Sequence, residues 1–183
     1  SLASTIKSLT ENEQGKPLPI HQLDPEDIED INTAAATIKK RSDGLLVFVK
    51  DYRTISNVPL PQLKKLHVKQ FLTGIEALMS PVTIEASVDL KLASIPPHAT
   101  INADSKLIEQ VLINLINNSI HSLEGRENPT ITLSCTVETN TTVIQVTDNG
   151  AGIEEKIRNQ IFIPFYTTKK NGSGIGLSLS KNI

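Results

Sequence analysis

The glycine-rich stretch from Asn171 to Leu177 has the composition of a site for an anion. Gly172, Gly174 and Gly176 alternate with other residues just before an apolar segment that is predicted to be helical. Glycine lets backbone N–H groups approach a ligand closely, and a helix N-terminus adds unpaired donors and a favourable dipole. Polyphosphate is the expected ligand. Taken alone, the same run is also typical of a turn.

A second polar cluster follows a predicted strand. Asp148 ends that strand, and Asn149, Gly150 and Gly152 come directly after it. A carboxylate at this position can accept a hydrogen bond from the exocyclic amine of a base, and the glycines leave room for a flat ring. The alternative interpretation is an Asx turn, which Asp-Asn-Gly forms readily.

Two asparagines lie four residues apart on a predicted helix. Asn114 and Asn118 therefore share one face, beside an apolar stripe. Their carbonyl oxygens suit Mg²⁺, which prefers hard oxygen ligands and usually keeps waters and substrate phosphates around it. Alone, the pair is equally consistent with two surface residues. Together with the two glycine-containing segments it indicates a magnesium-dependent nucleotide site.

The composition limits the classes of function. The chain has 183 residues, 38% of them hydrophobic, which is enough for one core with a helical extension. The formal net charge of −2, without a dense basic run, argues against nucleic acid and anionic membranes as partners. No segment resembles a signal peptide or a membrane span, so we expect this piece to be cytoplasmic and free of membrane contact, whereas an anchor upstream of Ser1 is compatible with the sequence.

The first third of the chain is predicted to form a helical hairpin, over residues 1–58. One helix starts at the N-cap Asp24 and runs to about Ser56, and residues 1–13 look like the end of an earlier helix. The apolar seam of the long helix is suited to partner helices, which favours a homodimer through a four-helix bundle. Alternatively, both helices cover the following domain. The apolar positions of the seam are Ile28, Ile31, Ala35, Ile38, Leu45, Val49 and Tyr52.

Residues 62–183 are predicted to form a second domain of the α+β class, a two-layer sandwich. The pattern indicates a strand at Lys64–Val68, a helix to about Met79, and a strand over 82–88 after Pro81. A helix capped by Asp104 follows, and strands at 130–138 and 142–148 form a hairpin. The strands show no clear parallel crossover units. Cys135 falls in an alternating segment and is interpreted as a buried strand residue.

Four segments in order resemble the motifs of the catalytic, ATP-binding domain of sensor histidine kinases, a superfamily shared with DNA gyrase and heat-shock chaperone ATPases. Glu109–Ser119 is similar to the N box and Asp148–Gly152 to the first glycine box. Ile161–Lys169 resembles the F box and lid, and Gly172–Gly176 the second glycine box. The spacing of the glycines matches neither a P-loop nor a dinucleotide fingerprint.

The resemblance implies a Bergerat-type fold with helices on a mixed sheet, and a mobile lid, here residues 154–172, over ATP and Mg²⁺. It places Asn118 as the Mg²⁺ ligand and Asp148 on the adenine amino group. Lys169 is the favoured phosphate partner, Lys170 is a second candidate, and Phe162 and Phe165 pack the lid. The residues expected to bind ATP are Asn114, Asn118, Asp148, Gly150, Gly152, Ile153, Thr168, Lys169, Gly172, Ser173, Gly174, Gly176 and Leu177.

Asn114 favours a kinase over a hydrolase. The hydrolytic members of the superfamily carry a glutamate at this position, and an amide cannot deprotonate water. The resemblance therefore implies transfer of the γ-phosphoryl group to a histidine, and thence to an aspartate of a response-regulator receiver domain. The alternative is a non-catalytic ATP-binding or dimerisation module for signalling.

The phosphorylated histidine is expected outside this chain. None of the four histidines is followed by the acidic residue of the family's acceptor box, and His121, on the N-box helix, is interpreted as a surface or supporting residue. The fragment is therefore not expected to phosphorylate itself. The family also continues beyond the position of Ile183, so the domain is expected to be truncated. The histidines are His21, His67, His98 and His121.

Overall fold

The computed structural model describes residues 10–11, 15–16, 24–56, 60–139, 141–169 and 172–183, without the side chains of residues 47, 48 and 50–56. The chain divides into two compact units, Ser1–Arg53 and Thr54–Ile183. The helix expected within residues 1–13 and its loop lie largely outside the described residues. So do Lys170 and Asn171 of the lid and glycine run.

The predicted long helix is present as α1, Pro25–Ser56. Its start is a reciprocal cap, because the backbone N–H of Asp27 donates to Asp24 Oδ1 at 2.8 Å and that of Asp24 donates to Asp27 Oδ2 at 3.2 Å. Apolar side chains along it stay open to solvent, and Leu45 is 63% exposed. None of the described helices is long and apolar enough to cross a bilayer.

The second unit begins with a strand and a long helix. β1 is Lys64–His67 and α2 is Val68–Glu85. The strand predicted over 82–88 is wrong, because the helix continues through Pro81. A helical period of buried residues extends to Thr83, whereas Val82 and Ile84 of the presumed alternation are 43% and 73% exposed. The free energy gained by burying one helix face therefore exceeds the cost of the backbone hydrogen bond that Pro81 cannot make.

The remaining elements are two short strands, a helix, a hairpin and a final helix. β2 (Asp89–Ala93) and β3 (Thr100–Ala103) lie where no strands were predicted. The structure confirms the predicted hairpin as β4 and β5. These and the other elements, in order, are α3 (Ser105–Ser122), β4 (Thr130–Val137), β5 (Thr142–Asp148), a 3₁₀ turn (Glu155–Ile157) and α4 (Gly176–Asn182).

The strands form two sheets, and helices pack on them. β1 pairs antiparallel with β3, while β2, β4 and β5 form a mixed sheet in that order. β2 is parallel to β4, and β4 is antiparallel to β5. The prediction that the strands contain no parallel crossover unit is therefore wrong. The core joins α2 and α3 to the mixed sheet, which confirms the α+β class. Its fully buried members are Val68, Leu72, Ile75, Ile116, Ile131, Leu133 and Cys135.

Asp104 fixes the start of α3. Its Oδ1 accepts the backbone N–H of Lys106 at 2.9 Å, and its Oδ2 accepts that of Gln62 at 2.8 Å. The first contact caps the helix, as predicted, and the second ties the segment before β1 to it. The hydrogen bond from Gln62 is the main cause that lowers the pKa of the Asp104 carboxyl, burial opposes it, and the N–H groups of Leu107 and Lys106 lower it further.

We expect Asp104→Ala to lower the thermal unfolding midpoint at neutral pH, because three backbone donors lose their acceptor. A carboxyl with a depressed folded-state pKa stabilises the protein above its unfolded pKa, and the stabilisation is lost as pH falls through the folded pKa. The difference between wild type and variant should therefore shrink in acid. Thermal melts across acidic and neutral pH test this, with the exposed Asp89→Ala as control. A difference that is the same at every pH would contradict the account.

Candidate functional site

The described residues enclose a cavity of about 260 Å³ between α3, the lid segment and the glycine run. It brings together residues as far apart in the chain as Asn114 and Leu177. Of the predicted site, Asn114, Asn118, Thr168, Lys169, Gly172, Ser173, Gly174, Gly176 and Leu177 line it. Asp148, Gly150, Gly152 and Ile153 do not. The cavity is slightly below the range of about 300–1,000 Å³ usual for small-molecule sites.

The two asparagines on α3 have different surroundings. Asn114 Nδ2 donates to Ser180 Oγ of α4 at 2.9 Å, so this amide links the two helices. Asn118 Nδ2 makes a long contact of 3.5 Å with Asn114 Oδ1, which leaves the carbonyl oxygen of Asn118 facing the lid. Asn114 is therefore engaged with α4, whereas the side chain of Asn118 is directed to the lid.

Gly176 lets α4 approach α3. A Cβ atom at this position would overlap the side-chain amide of Asn114, which supplies its three nearest atoms. A second contact joins the glycine run to the lid, because the backbone N–H of Phe165 donates to the carbonyl oxygen of Gly174 at 2.9 Å. The glycines thus allow close packing of the helices and lid around the cavity, in addition to any contact with an anion.

Lys169 spans the cavity from the lid to α3. Its Nζ donates to Asn118 Oδ1 at 2.8 Å. Burial of the ammonium group lowers the pKa of Lys169, and the carboxylate of Glu124 opposes this by attraction. The oxygen predicted to bind a metal ion therefore has the ammonium group of Lys169 as its hydrogen-bond donor.

Asp148 is the last residue of β5, and its carboxylate lies against α3. It contacts Ser119, the residue that follows Asn118 on that helix. Ser119 Oγ donates to Asp148 Oδ2 at 2.8 Å, and Ser122 Oγ lies 3.0 Å from Oδ1. The following backbone N–H of Gly150 donates to Oδ1 at 2.9 Å. The contact to the Gly150 N–H is the Asx turn that was the alternative interpretation of this segment. Asp148 makes it together with the contacts to α3, so the turn is compatible with a binding role for the carboxylate. The side chain is half-buried.

The lid contacts the final helix as well. Lys181 Nζ of α4 lies 5.2 Å from the ring centre of Phe162, a cation–π contact. Phe162 is nevertheless 42% exposed and Phe165 39% exposed, and neither lines the cavity. Ile153, just before the lid, is also 49% exposed. These side chains cover the lid surface rather than the ligand space.

Sequence reasoning missed several residues that line the cavity. His121 is exposed, as interpreted, but it also lies at the wall, which was not predicted, with its Nδ1 3.0 Å from Glu124 Oε1. A signal was present, because residues 114, 118 and 121 have the i, i+4, i+7 spacing of one helix face. The other unpredicted wall residues are Asn117, Ile157, Ile161, Tyr166 and Thr167.

Comparison with known proteins agrees with this geometry. Residues 103–183 match the family described as histidine kinase-, DNA gyrase B-, and HSP90-like ATPase. The signal transduction histidine-protein kinase AtoS of Escherichia coli is 27% identical over 148 residues, which are 81% of this chain and 24% of AtoS. The chain thus spans about a quarter of that relative.

Solved structures show the same fold. The catalytic domain of histidine kinase ThkA superposes with a TM-score of 0.60 and 27% identity, covering 67% of this chain and 79% of that domain. Full-length ShkA in complex with AMPPNP gives a TM-score of 0.64 at 22% identity, covering 97% of this chain and 36% of ShkA. Residues 103–183, with the cavity walls from α3, the lid and α4, therefore belong to the ATPase family of histidine kinases, DNA gyrase B and HSP90.

Proposed function

We propose that this chain is the ATP-binding part of a two-component sensor histidine kinase. The observation that carries the proposal is the convergence of Asn118, Lys169 and the glycine run on one cavity. The full protein would transfer the γ-phosphoryl group of ATP to a histidine outside this chain, and from there to an aspartate of a response regulator. The names of relatives such as AtoS support the kinase activity. A solved complex of ThkA with response regulator TrrA supports the second partner.

Within this proposal, residues 62–183 are the catalytic domain and residues 1–58 are part of a dimerisation hairpin. The exposed apolar side chains of α1 support a homodimer, because a helix with Ile28, Leu45 and Val49 open to solvent gains from covering them. ATP is abundant in the cytoplasm, where we place this segment, whether the full protein is soluble or anchored in a membrane.

The residues fit a magnesium nucleotide. Asn118 would supply a neutral carbonyl oxygen to Mg²⁺, the kind of ligand this ion accepts beside phosphate oxygens. The ion supplies charge neutralisation at the phosphates when bound. Asp148 would accept the adenine amino group, with Gly150, Gly152 and Ile153 around the base. The phosphate end would be formed by Thr168, Lys169, Gly172, Ser173, Gly174, Gly176 and Leu177.

Lys169 has to change partners when nucleotide binds. Its ammonium group and a metal ion cannot both sit against the same carbonyl oxygen without strong repulsion at short range. We propose that Lys169 leaves Asn118 Oδ1 for the phosphate oxygens, a movement that also opens the small cavity. The lid then excludes water while the charge of Lys169 orients the phosphates.

Asn114 makes this site unsuited to hydrolysis. Its amide cannot take a proton from water, and its Nδ2 is already engaged with Ser180 Oγ. Transfer to an imidazole nitrogen, which is itself the nucleophile, depends mainly on positioning and on charge neutralisation. The second candidate, a non-catalytic signalling module, would retain the fold without this use of nucleotide.

Calorimetric titration with the ATP analogue AMP-PNP tests the proposal. We expect Mg²⁺-dependent binding by the chain, and a loss of roughly tenfold or more in Asn118→Ala and in Asp148→Asn, because each removes a direct polar contact to a charged or buried group. The matched controls are Gln110→Ala on α3 and Gln145→Ala on β5, whose side chains are exposed. Absence of binding by the wild-type chain would contradict the kinase proposal and favour the module.

The role of Lys169 is tested by comparing ligands with and without phosphates. We expect Lys169→Gln to weaken AMP-PNP binding by roughly tenfold, because a charge-assisted contact is lost, and to leave adenosine binding unchanged. Lys156→Gln is the control, since Lys156 is an exposed lid lysine paired with Glu154 at 2.6 Å. An equal loss for both ligands would mean that Lys169 acts only by holding the lid in place.

A further inference from the structure

The carboxylate of Asp148 is almost completely used by hydrogen bonds from the protein. Its Oδ1 is approached by two donors, the backbone N–H of Gly150 and the hydroxyl of Ser122, and its Oδ2 by one, the hydroxyl of Ser119. An ionised carboxylate offers about four acceptor positions, two on each oxygen. The described residues therefore leave one acceptor position, on Oδ2, for a ligand.

The two serine hydroxyls do not hold the carboxylate equally. Ser119 Oγ is buried with its residue at 6% exposure and has Asp148 Oδ2 as its hydrogen-bond acceptor at 2.8 Å. Ser122 Oγ lies 2.9 Å from the carbonyl oxygen of Ser119 and 3.0 Å from Asp148 Oδ1. A hydroxyl has one hydrogen, so Ser122 divides it between two acceptors. Ser119 is the firmer of the two contacts.

Close packing restricts the other side of the carboxylate as well. A Cβ atom at position 150 would overlap Ser122 Oγ and lie 2.7 Å from Asp148 Oδ1. Only glycine lets this backbone N–H reach the carboxylate while Ser122 stays in place. Oδ1 is thus held from both sides. The freedom that remains to the carboxylate is the position of Oδ2, which therefore depends on the group that contacts Oδ2.

We propose that Ser119 is a positioning residue that makes the site selective for a 6-aminopurine. It holds Oδ2 of Asp148 so that the remaining acceptor position is fixed before the base arrives. A 6-amino group can donate to that position, whereas a base without the amine cannot, and a 6-oxo group would set one acceptor against another. The inference rests on the proposed function, because it assumes that Asp148 contacts the base.

The test compares two ligands that differ only in the amine. AMP-PNP and the corresponding imidotriphosphate of purine riboside, which lacks the 6-amino group, are titrated with Mg²⁺ into the full chain. Their ratio of dissociation constants measures the amine contact alone. We expect Ser119→Ala to reduce this ratio by roughly three- to tenfold and to leave the amine-free ligand unaffected, because part of one hydrogen bond to a charged acceptor is lost. Ser122→Ala should reduce it less.

Two further variants separate positioning from stability. If Ser119→Ala disturbs folding, Ser119→Cys takes its place, because cysteine is nearly the size of serine but is only a weak hydrogen-bond donor. It should reduce the ratio in the same way. Thr83→Ala removes another buried hydroxyl, which bonds only within α2, and should leave the ratio unchanged. An equal effect of Ser119→Ala on both ligands would assign the serine a purely structural role and overturn the inference.

Asp148→Asn distinguishes failure of the inference from failure of the proposed function. If Asp148→Asn abolishes the ratio and Ser119→Ala leaves it intact, the base contact stands and the positioning role is wrong. If the wild-type chain binds both ligands equally, the base contact and the inference are both wrong. Binding of neither ligand would remove the nucleotide site itself, and with it the proposed function.

Discussion

Burial of one face of α3 is the constraint on which the site depends. Leu112 and Ile116 are 3% and 0% exposed in the core between the helices and the sheet. Successive helix residues are separated by about 100° around the axis, so fixing these two fixes the directions of Asn118 and Ser119. Burial of Leu112 and Ile116 therefore determines the directions in which the polar side chains of α3 point. The N-cap at Asp104 determines where the helix starts.

The same helix joins both ends of the proposed site. Asn118 meets Lys169 of the lid, while the adjacent Ser119 meets Asp148 at the end of β5. Two consecutive residues thus link the proposed phosphate end to the proposed base end. These links are made by the protein itself, since Lys169 donates to Asn118 Oδ1 and the hydroxyls of Ser119 and Ser122 lie against the carboxylate of Asp148. In the proposed function, nucleotide binding would therefore exchange these partners rather than fill an open cleft.

The predictability of each part follows from the range of the interactions that determine it. α3 and the β4–β5 hairpin were predictable because their periodicity, cap and short connection are local. The end of α2 was not, since burial across the core overrode Pro81. The parallel pairing of β2 with β4 joins strands separated by α3, and the hydrogen bond of Lys169 to Asn118 spans 51 residues. Such contacts leave no periodic trace in the sequence.

The central claim is that one nucleotide, bound along α3, contacts Lys169 with its phosphates and Asp148 with its base. The most direct measurement is a ¹H–¹⁵N NMR titration of the chain with AMP-PNP and Mg²⁺, including the side-chain amide signals of the asparagines. The account predicts simultaneous shifts of the Asn118 side chain, of the Ser119 and Gly150 amides at the base end, and of the Lys169 and Gly174 amides at the phosphate end. Shifts confined to one end, or none at saturating ligand, would contradict it.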